Sequence, residues 1–301
     1  MDAEYAILKI DPDWGRTREP LGSKPKFWFW YQSRFWLFKE VRKNTGEHWA
    51  EKVASEIADE LGLPTHHTEL ATFEGRDGCA VRSFLETGEV LVHGNEILAG
   101  TIDDYDKDKI MGQADHNIGN VVKVLERWFS GPEAGEVAAN RVVGYLLLDA
   151  LIGNTDRHHE NWGIVGHPIH HDKEGESADF VVEIAPTFDH ASSLGRELLD
   201  ERREAILNEQ GALVRYIGKA RGGIFENSNA RKGMSPMGLV ELIAERYPEF
   251  FKPWQRRLAE IDEAYYSSIV NRVPESWMNE CSKNFALAFL SETRKLLLQI
   301  K

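Results

Sequence analysis

Cysteine is nearly absent. Cys79 and Cys281 are the only two thiols in 301 residues, too few and too far apart to build a disulfide framework, which points to a reducing compartment. Long apolar runs are missing as well: the longest, around Leu146 to Ile152, contains Asp149 and falls far short of the roughly 20 residues needed to cross a bilayer. The opening Met1-Asp2-Ala3-Glu4 lacks the basic start and apolar stretch of a secretory signal. The expectation is a cytoplasmic protein, or an effector exported without such a signal. Positive charge is also in deficit, with 36 Lys and Arg against 49 Asp and Glu for a net charge of −13. Short basic clusters such as Lys252 to Arg257 make no groove-length positive face, which argues against direct nucleic-acid binding and against docking on anionic membranes. Neither GxGxxG, the Walker pattern nor HExxH occurs, and no internal repeat or low-complexity tract is visible.

What is present is an ordinary globular composition, 42% hydrophobic and 28% charged, on a chain long enough for one large domain or two lobes around a cleft. Strand patterns come first, at Tyr5 to Ile10 and in an aromatic pair, Phe27 to Tyr31 and Phe35 to Val41, that reads as a hairpin about Gln32-Ser33-Arg34. The stretch from Ile10 to Phe27 holds Gly15, Pro20, Gly22 and Pro25 and reads as loop. Gly46 to Leu61 carries apolar residues at helical spacing, stopped by Gly62 and Pro64. Short strands are expected at Glu69 to Phe73, Cys79 to Phe84 and Val90 to Val92. Beyond about residue 94 helices dominate, at Ile118 to Trp128, Ala138 to Ile152, Pro236 to Glu245, Trp254 to Val270 and Cys281 to Ile300. Asn161 to Val165 and Asp179 to Ile184 are the remaining strand candidates.

The densest polar constellation is Gly153-Asn154-Thr155-Asp156-Arg157-His158-His159-Glu160-Asn161, between a buried-looking helix and a strand. Asp156 with Asn161 five residues later matches a division of labour in which one carboxylate faces a substrate hydroxyl and one amide oxygen faces a metal ion. The competing reading is a polar turn in which Asn154 and Asp156 cap backbone amides. Asp189, after the second short strand, offers a further oxygen ligand for a hard cation. Lys39 lies in an aromatic strand, where a buried ammonium needs an anion. Glu51, on the face of Ala54 and Ala58, is a candidate partner, and Glu47 and Glu56 are nearby alternatives. Gly22-Ser23 could cradle phosphate with backbone amides, although most such pairs are plain turns.

The order of Lys39, Glu51, Asp156 to Asn161 and Phe188-Asp189, with Leu91-Val92-His93-Gly94-Asn95-Glu96, resembles the HipA-like kinases, in particular their short, proinflammatory-kinase-like members, across roughly residues 20 to 200. That resemblance implies an α+β, bilobal protein-kinase-like fold: a small β-rich N-lobe over 1–85 and a larger helical C-lobe over 86–301. It implies transfer of the ATP γ-phosphoryl group to Ser or Thr of a protein, with Asp156 as catalytic base, Asn161 and Asp189 as Mg²⁺ ligands, and Lys39, Gly22, Ser23 and Glu51 around ATP. It further implies His158 as a catalytic-loop scaffold, Ser23 as an autophosphorylation candidate, and a toxin-like role with an antitoxin partner. Phe188-Asp189-His190-Ala191 lacks the glycine of the usual Asp-Phe-Gly segment, and the extra N-terminal subdomain of full-length toxins is not apparent. Because the Asp-Arg-His-x-x-Asn spacing also occurs in phosphatidylinositol kinases, a lipid acceptor is the alternative, and a non-catalytic nucleotide-binding regulator a third reading.

Histidines occur in adjacent pairs at 66–67, 158–159 and 170–171. Neighbours diverge on either regular backbone, so an adjacent pair rarely chelates one metal; a zinc site would need ligands converging from several pairs, and without HExxH or a cysteine cluster none is expected. His159 is expected to face solvent. The nine tryptophans, several of them between Phe27 and Trp36, read as core and lobe packing rather than a stacking platform for bases.

Overall fold

The computed structural model describes residues 3–18, 25–129, 132–169 and 179–301. Gly22 and Ser23, and the pair His170 and His171, lie outside them. Period-2 alternation builds the first layer. β3 (Lys26–Tyr31) and β4 (Arg34–Glu40) pair antiparallel with Tyr31 opposite Arg34. The loop between them is therefore only Gln32 and Ser33, both at positive φ (48° and 58°), the backbone that matches strand twist in a two-residue hairpin. On β4, Trp36 and Phe38 are buried on one face with Phe29, Ala71, Phe73 and Ala80, which leaves Lys39 on the opposite face. With β1 (Leu8–Lys9), β2 (Arg16–Arg18), β5 (Thr68–Phe73) and β6 (Arg76–Arg82), the sheet runs β1-β5-β6-β4-β3-β2, antiparallel except for β1 with β5. Helix α1 (Glu47–Glu60) packs on β5 and β6, over the face that carries Lys39.

The remainder is organised around α4 (Pro132–Ile152), whose residues 142–152 are all buried, as expected of a helix that is apolar on every side. Around it pack α3 (Ile118–Trp128), α7 (Pro236–Arg246), α8 (Pro248–Glu260) and α10 (Glu280–Gln299). A second sheet, β7 (Val90–His93), β8 (Gly163–Ile169) and β9 (Asp179–Ile184), is antiparallel throughout and follows the polar loop that leaves α4. Short helices α2 (Gly94–Ala99), α5 (Asp200–Asn208) and α6 (Ala212–Lys219) and α9 (Glu263–Asn271) complete the described residues. The architecture is mixed α+β, a curled sheet followed by a helical region. The boundary expected at 85/86 lies between β6 and β7. No described helix is long and apolar enough to cross a membrane.

Several expected elements differ. The strand at Tyr5 to Ile10 shrinks to two residues because Tyr5 instead donates its backbone N–H to Arg272 O (2.8 Å), and its ring lies under the Arg272 guanidinium. The loop from Ile10 to Phe27 contains β2, which pairs with β3 along one edge only and so shows no two-sided pattern. The helix expected from Trp254 to Val270 is two helices: Ile261 leaves helical backbone and Asp262 restarts it, accepting from Ala264 N at 2.9 Å. Helices α2, α5 and α6 were not foreseen; each is nine residues or fewer, too short for periodicity to stand out.

The end of α4 is the junction that aims the polar loop. Gly153 takes a left-handed backbone (φ 71°) and Asn154 N–H reaches back to Asp149 O at 2.8 Å, a Schellman closure. A Cβ on Gly153 would also overlap the Phe289 ring. Gly153→Ala is therefore expected to lower unfolding free energy by about 2 kcal/mol or more, read from the urea midpoint.

Two buried imidazoles set a pH dependence. Burial lowers His48 to about 4 and His116 to about 3, and His116 accepts from Trp162 Nε1 (3.1 Å) while its Nδ1 faces Gly223 O (2.8 Å), the bonding of a neutral ring. The unfolded chain binds these protons near pH 6.5, so their contribution is complete above that pH and falls as pH drops toward the folded values. The unfolding free energy from urea titration should be level above pH 7 and lose about 1.4 kcal/mol per pH unit per group between about pH 6 and 4; stability that rises on acidification would contradict this.

Candidate active site

Lys39 leaves β4 toward α1, where its Nζ donates to Asp189 Oδ1 at 3.1 Å and lies 3.8 Å from Glu51 Oε2. Burial opposes its charge, but Asp189 and then Glu51 outweigh that and raise its pKa. Burial likewise opposes ionisation of Glu51, and Lys39 followed by His66 overcomes it, so the Glu51 pKa is lowered well below the usual carboxylate range. The other two helix carboxylates are engaged elsewhere: Glu47 pairs with Arg196 (2.8 Å) and Glu56 with Lys52 (2.7 Å). Three side chains expected to work together, Lys39, Glu51 and Asp189, thus meet between the sheet and the helical region.

Downstream of the Schellman turn, Asp156 is exposed and its N–H donates to Asn154 Oδ1 (3.1 Å), so the capping expected of Asn154 is present beside an outward-facing carboxylate. Asn161 is buried and donates Nδ2 to Asp156 O at 2.7 Å, closing the loop across its five-residue span. Arg157 holds the loop in place. Its Nε and Nη2 bond Asp149 (2.7 and 2.8 Å), Nη2 also reaches Thr187 Oγ1 (3.0 Å), and Nη1 bonds both Asn161 O (2.5 Å) and Phe188 O (3.2 Å). One guanidinium nitrogen therefore joins the Asn161 segment to the segment carrying Asp189. A second tether comes from β7 and α2: His93 Nδ1 lies 2.8 Å from Glu160 O, and Asn95 N donates to His159 O at 2.9 Å. Gly94 permits this approach, since a Cβ there would stand 2.6 Å from His159 O.

The donor set fits a hard divalent cation. Asn161 uses its amide nitrogen on the loop itself, which leaves Oδ1 for a cation, and Asp189 adds a carboxylate. Asp189 is held at φ 61°, a backbone few non-glycine residues adopt, and the next residue, His190, is fully buried with its N–H on Glu51 Oε1 (3.0 Å). His190 stands where the usual segment has its phenylalanine, and Ala191 where it has the glycine; both are buried.

Of the two loop histidines, His159 differs from expectation. His159, expected to face solvent, is buried with Nδ1 2.7 Å from Tyr105 Oη, and burial, followed by His158, lowers its pKa to about 4. His158 is half-buried, and its Nδ1 accepts from Glu160 N (3.2 Å), a hydrogen bond to the loop's own backbone. Arg157 and Asp149 were missed as the real ties, although a carboxylate inside the apolar run Leu146 to Ile152 already required a buried partner. A cavity of about 350 Å³ opens beside Gly153 and Thr155, lined also by Ser192, Arg196, Tyr216 and Met237.

The serine/threonine-protein kinase CtkA of Helicobacter pylori is 24% identical over 253 residues, 83% of this chain and 71% of that protein. The crystal structure of the Helicobacter pylori proinflammatory kinase CtkA matches with a TM-score of 0.76 at 22% identity, covering 99% of this chain and 96% of the other. HipA, in a Shewanella oneidensis MR-1 toxin–antitoxin complex with HipB and operator DNA, matches with a TM-score of 0.60 at 12% identity, covering 94% of this chain and 65% of that one. The two structural likenesses share a kinase-like fold. A model of the HipA-like C-terminal domain matches residues 20–221, about two thirds of the sequence, so the chain belongs to the HipA-like C-terminal domain family.

Proposed function

We propose that this protein is an ATP-dependent phosphotransferase that moves the γ-phosphoryl group to a Ser or Thr hydroxyl of a protein. The observation that carries the proposal is Lys39 Nζ held between Glu51 (3.8 Å) and Asp189 (3.1 Å), next to a loop whose Asp156 is exposed and whose Asn161 is tied to the Asp189 segment through Arg157. A net charge of −13 repels a polyphosphate, so binding requires local cations, and Lys39 supplies one. Asn161 Oδ1 and the Asp189 carboxylate would hold Mg²⁺, whose charge would offset that of the phosphates.

Asp156 would accept the proton of the attacking hydroxyl; its exposure lets an acceptor approach, and the Asn161 bond to its carbonyl fixes its place on the loop. Glu51 orients Lys39, and Asp189 releases it when phosphate oxygens compete for the ammonium. The cavity beside Thr155, with Ser192 and Arg196 on its wall, is proposed to take the acceptor segment. Ser23 is proposed as a self-acceptor, placing a phosphate beside the nucleotide's own charge and so opposing ATP binding. The likeness to HipA in complex with HipB supports, by analogy, a toxin-like role and a partner of antitoxin type.

Labelled ATP with Mg²⁺ is expected to leave label on the protein, and Asp156→Ala to lower that labelling about 10²- to 10⁴-fold, as loss of a general base does. Binding of nucleotide with no label on protein would overturn the kinase reading in favour of a regulator; label on added phosphoinositide vesicles alone would move the acceptor to lipid. Asp149→Asn leaves Arg157 buried without its carboxylate and is expected to cost about 3 kcal/mol of stability. At a temperature where the variant stays folded, phosphotransfer should fall and the Kd for Mg²⁺-nucleotide should rise with it, because Arg157 ties the Asn161 and Asp189 segments as well as the loop that carries Asp156; an unchanged rate and Kd would contradict this.

A further inference from the structure

We propose that Glu51, His66 and His190 form a buried site for a transition-metal dication of the Zn²⁺ class, separate from the oxygen-ligand site at Asn161 and Asp189. The three residues come from α1, from the segment before β5, and from the position after Asp189. A parallel bridge between Thr65 and Thr187, with Thr187 N–H on Pro64 O (2.8 Å), lays the two histidine-bearing segments side by side. Glu51 Oε1 lies 2.9 Å from His66 Nε2 and 3.8 Å from His190 Nδ1, and one donor atom from each residue lies within 4.8 Å of the others. Ligands at the 2.0–2.1 Å usual for zinc stand about 3.3 Å apart in a tetrahedron, a spacing those distances bracket. All three side chains are fully buried.

Hydrogen bonding leaves these atoms wanting a cation. His66 Nδ1 lies 3.1 Å from Thr187 O, so the ring proton belongs on Nδ1 and the Nε2 lone pair faces a carboxylate oxygen. Glu51 Oε2 and His190 Nδ1 are buried and make no hydrogen bond, and His66 Nε2 has only Glu51 Oε1 (2.9 Å) before it. A proton on His66 would satisfy one contact and leave His190 Nδ1 bare; one metal ion satisfies all three residues. Thr187 orients both rings, through its carbonyl on His66 and its hydroxyl on His190 Nε2 (2.8 Å), the outer-shell support typical of metal-binding histidines. Imidazole nitrogens select Zn²⁺ or Co²⁺ over Mg²⁺.

Two cations face the site: Lys39, 3.8 Å from Glu51 Oε2, and Arg157, through Thr187 Oγ1. A dication competes with Lys39 for Glu51 and ties down the residue after Asp189. Occupancy therefore inhibits phosphotransfer, a consequence that rests on the function proposed above, whereas the site itself does not.

The test is titration of the metal-stripped full chain with Co²⁺ in saturating Mg²⁺. One equivalent should bind with the intense visible d–d bands of four-coordinate Co²⁺; His66→Gln and His190→Gln should lose them and Asp189→Asn should keep them. Weak octahedral bands alone in the unaltered protein overturn the proposal whether or not the histidine variants fold, as does a signal that Asp189→Asn abolishes. A protein that binds Co²⁺ as described but transfers no phosphate would sink the kinase reading and leave the metal site standing.

Discussion

A guanidinium buried away from water must have all of its N–H groups met, and Arg157 meets this condition with groups from three segments at once. Asp149 on α4 supplies the carboxylate, Asn161 and Phe188 supply carbonyls, and Thr187 supplies its hydroxyl. Such a fork allows little play, because moving any one segment strands a buried donor. The exposed carboxylate of Asp156 and the amide of Asn161 inherit their positions from it, and so does the strained backbone of Asp189.

The second constraint is charge. A chain with 13 excess negative charges has few cations to place near a polyphosphate, and the fold places Lys39 where two carboxylates already hold it in line. Those carboxylates come from opposite regions, Glu51 from the helix on the sheet and Asp189 from the loop after β9. Sheet and helical region are thus joined by an ion cluster at the same point where nucleotide chemistry would occur. Glu51 also receives His190 N–H and faces His66, so one carboxylate serves Lys39 and both histidine-bearing segments.

Legibility followed the strength of the local signal. The aromatic alternation of Phe27 to Tyr31 and Phe35 to Val41, the Gly62 stop and the long apolar periodicity of α4 and α10 all announce their elements, since side-chain direction is set by backbone period. Ile118–Trp128 and Asp179–Ile184 match the expected bounds. The short helices were lost because they span too few residues for periodicity to stand out, and the break at Asp262 because a side-chain cap over one turn outweighs periodicity that spans it. Among site residues, Lys39, Glu51, Asp156, Asn161 and Asp189 were picked out by order along the chain. Arg157 and His159 were not weighed correctly, because burial of a polar side chain depends on what distant segments bring to it.

By itself, the sequence determined which residue types were available and in what order: a strand lysine, a helix glutamate, an Asp-to-Asn span of five and a later Asp. It also determined the family resemblance and the absence of any membrane-length apolar run. The tertiary structure alone decided that Glu51, rather than Glu47 or Glu56, faces Lys39, since Arg196 and Lys52 engage the other two. It alone decided that Asp149 lies opposite Arg157 and that His66 and His190, 124 positions apart in the numbering, share one carboxylate. The physical reason is the same in each case: a charge or lone pair removed from water takes the nearest complement in space, and nearness in space is set by packing rather than by position along the chain.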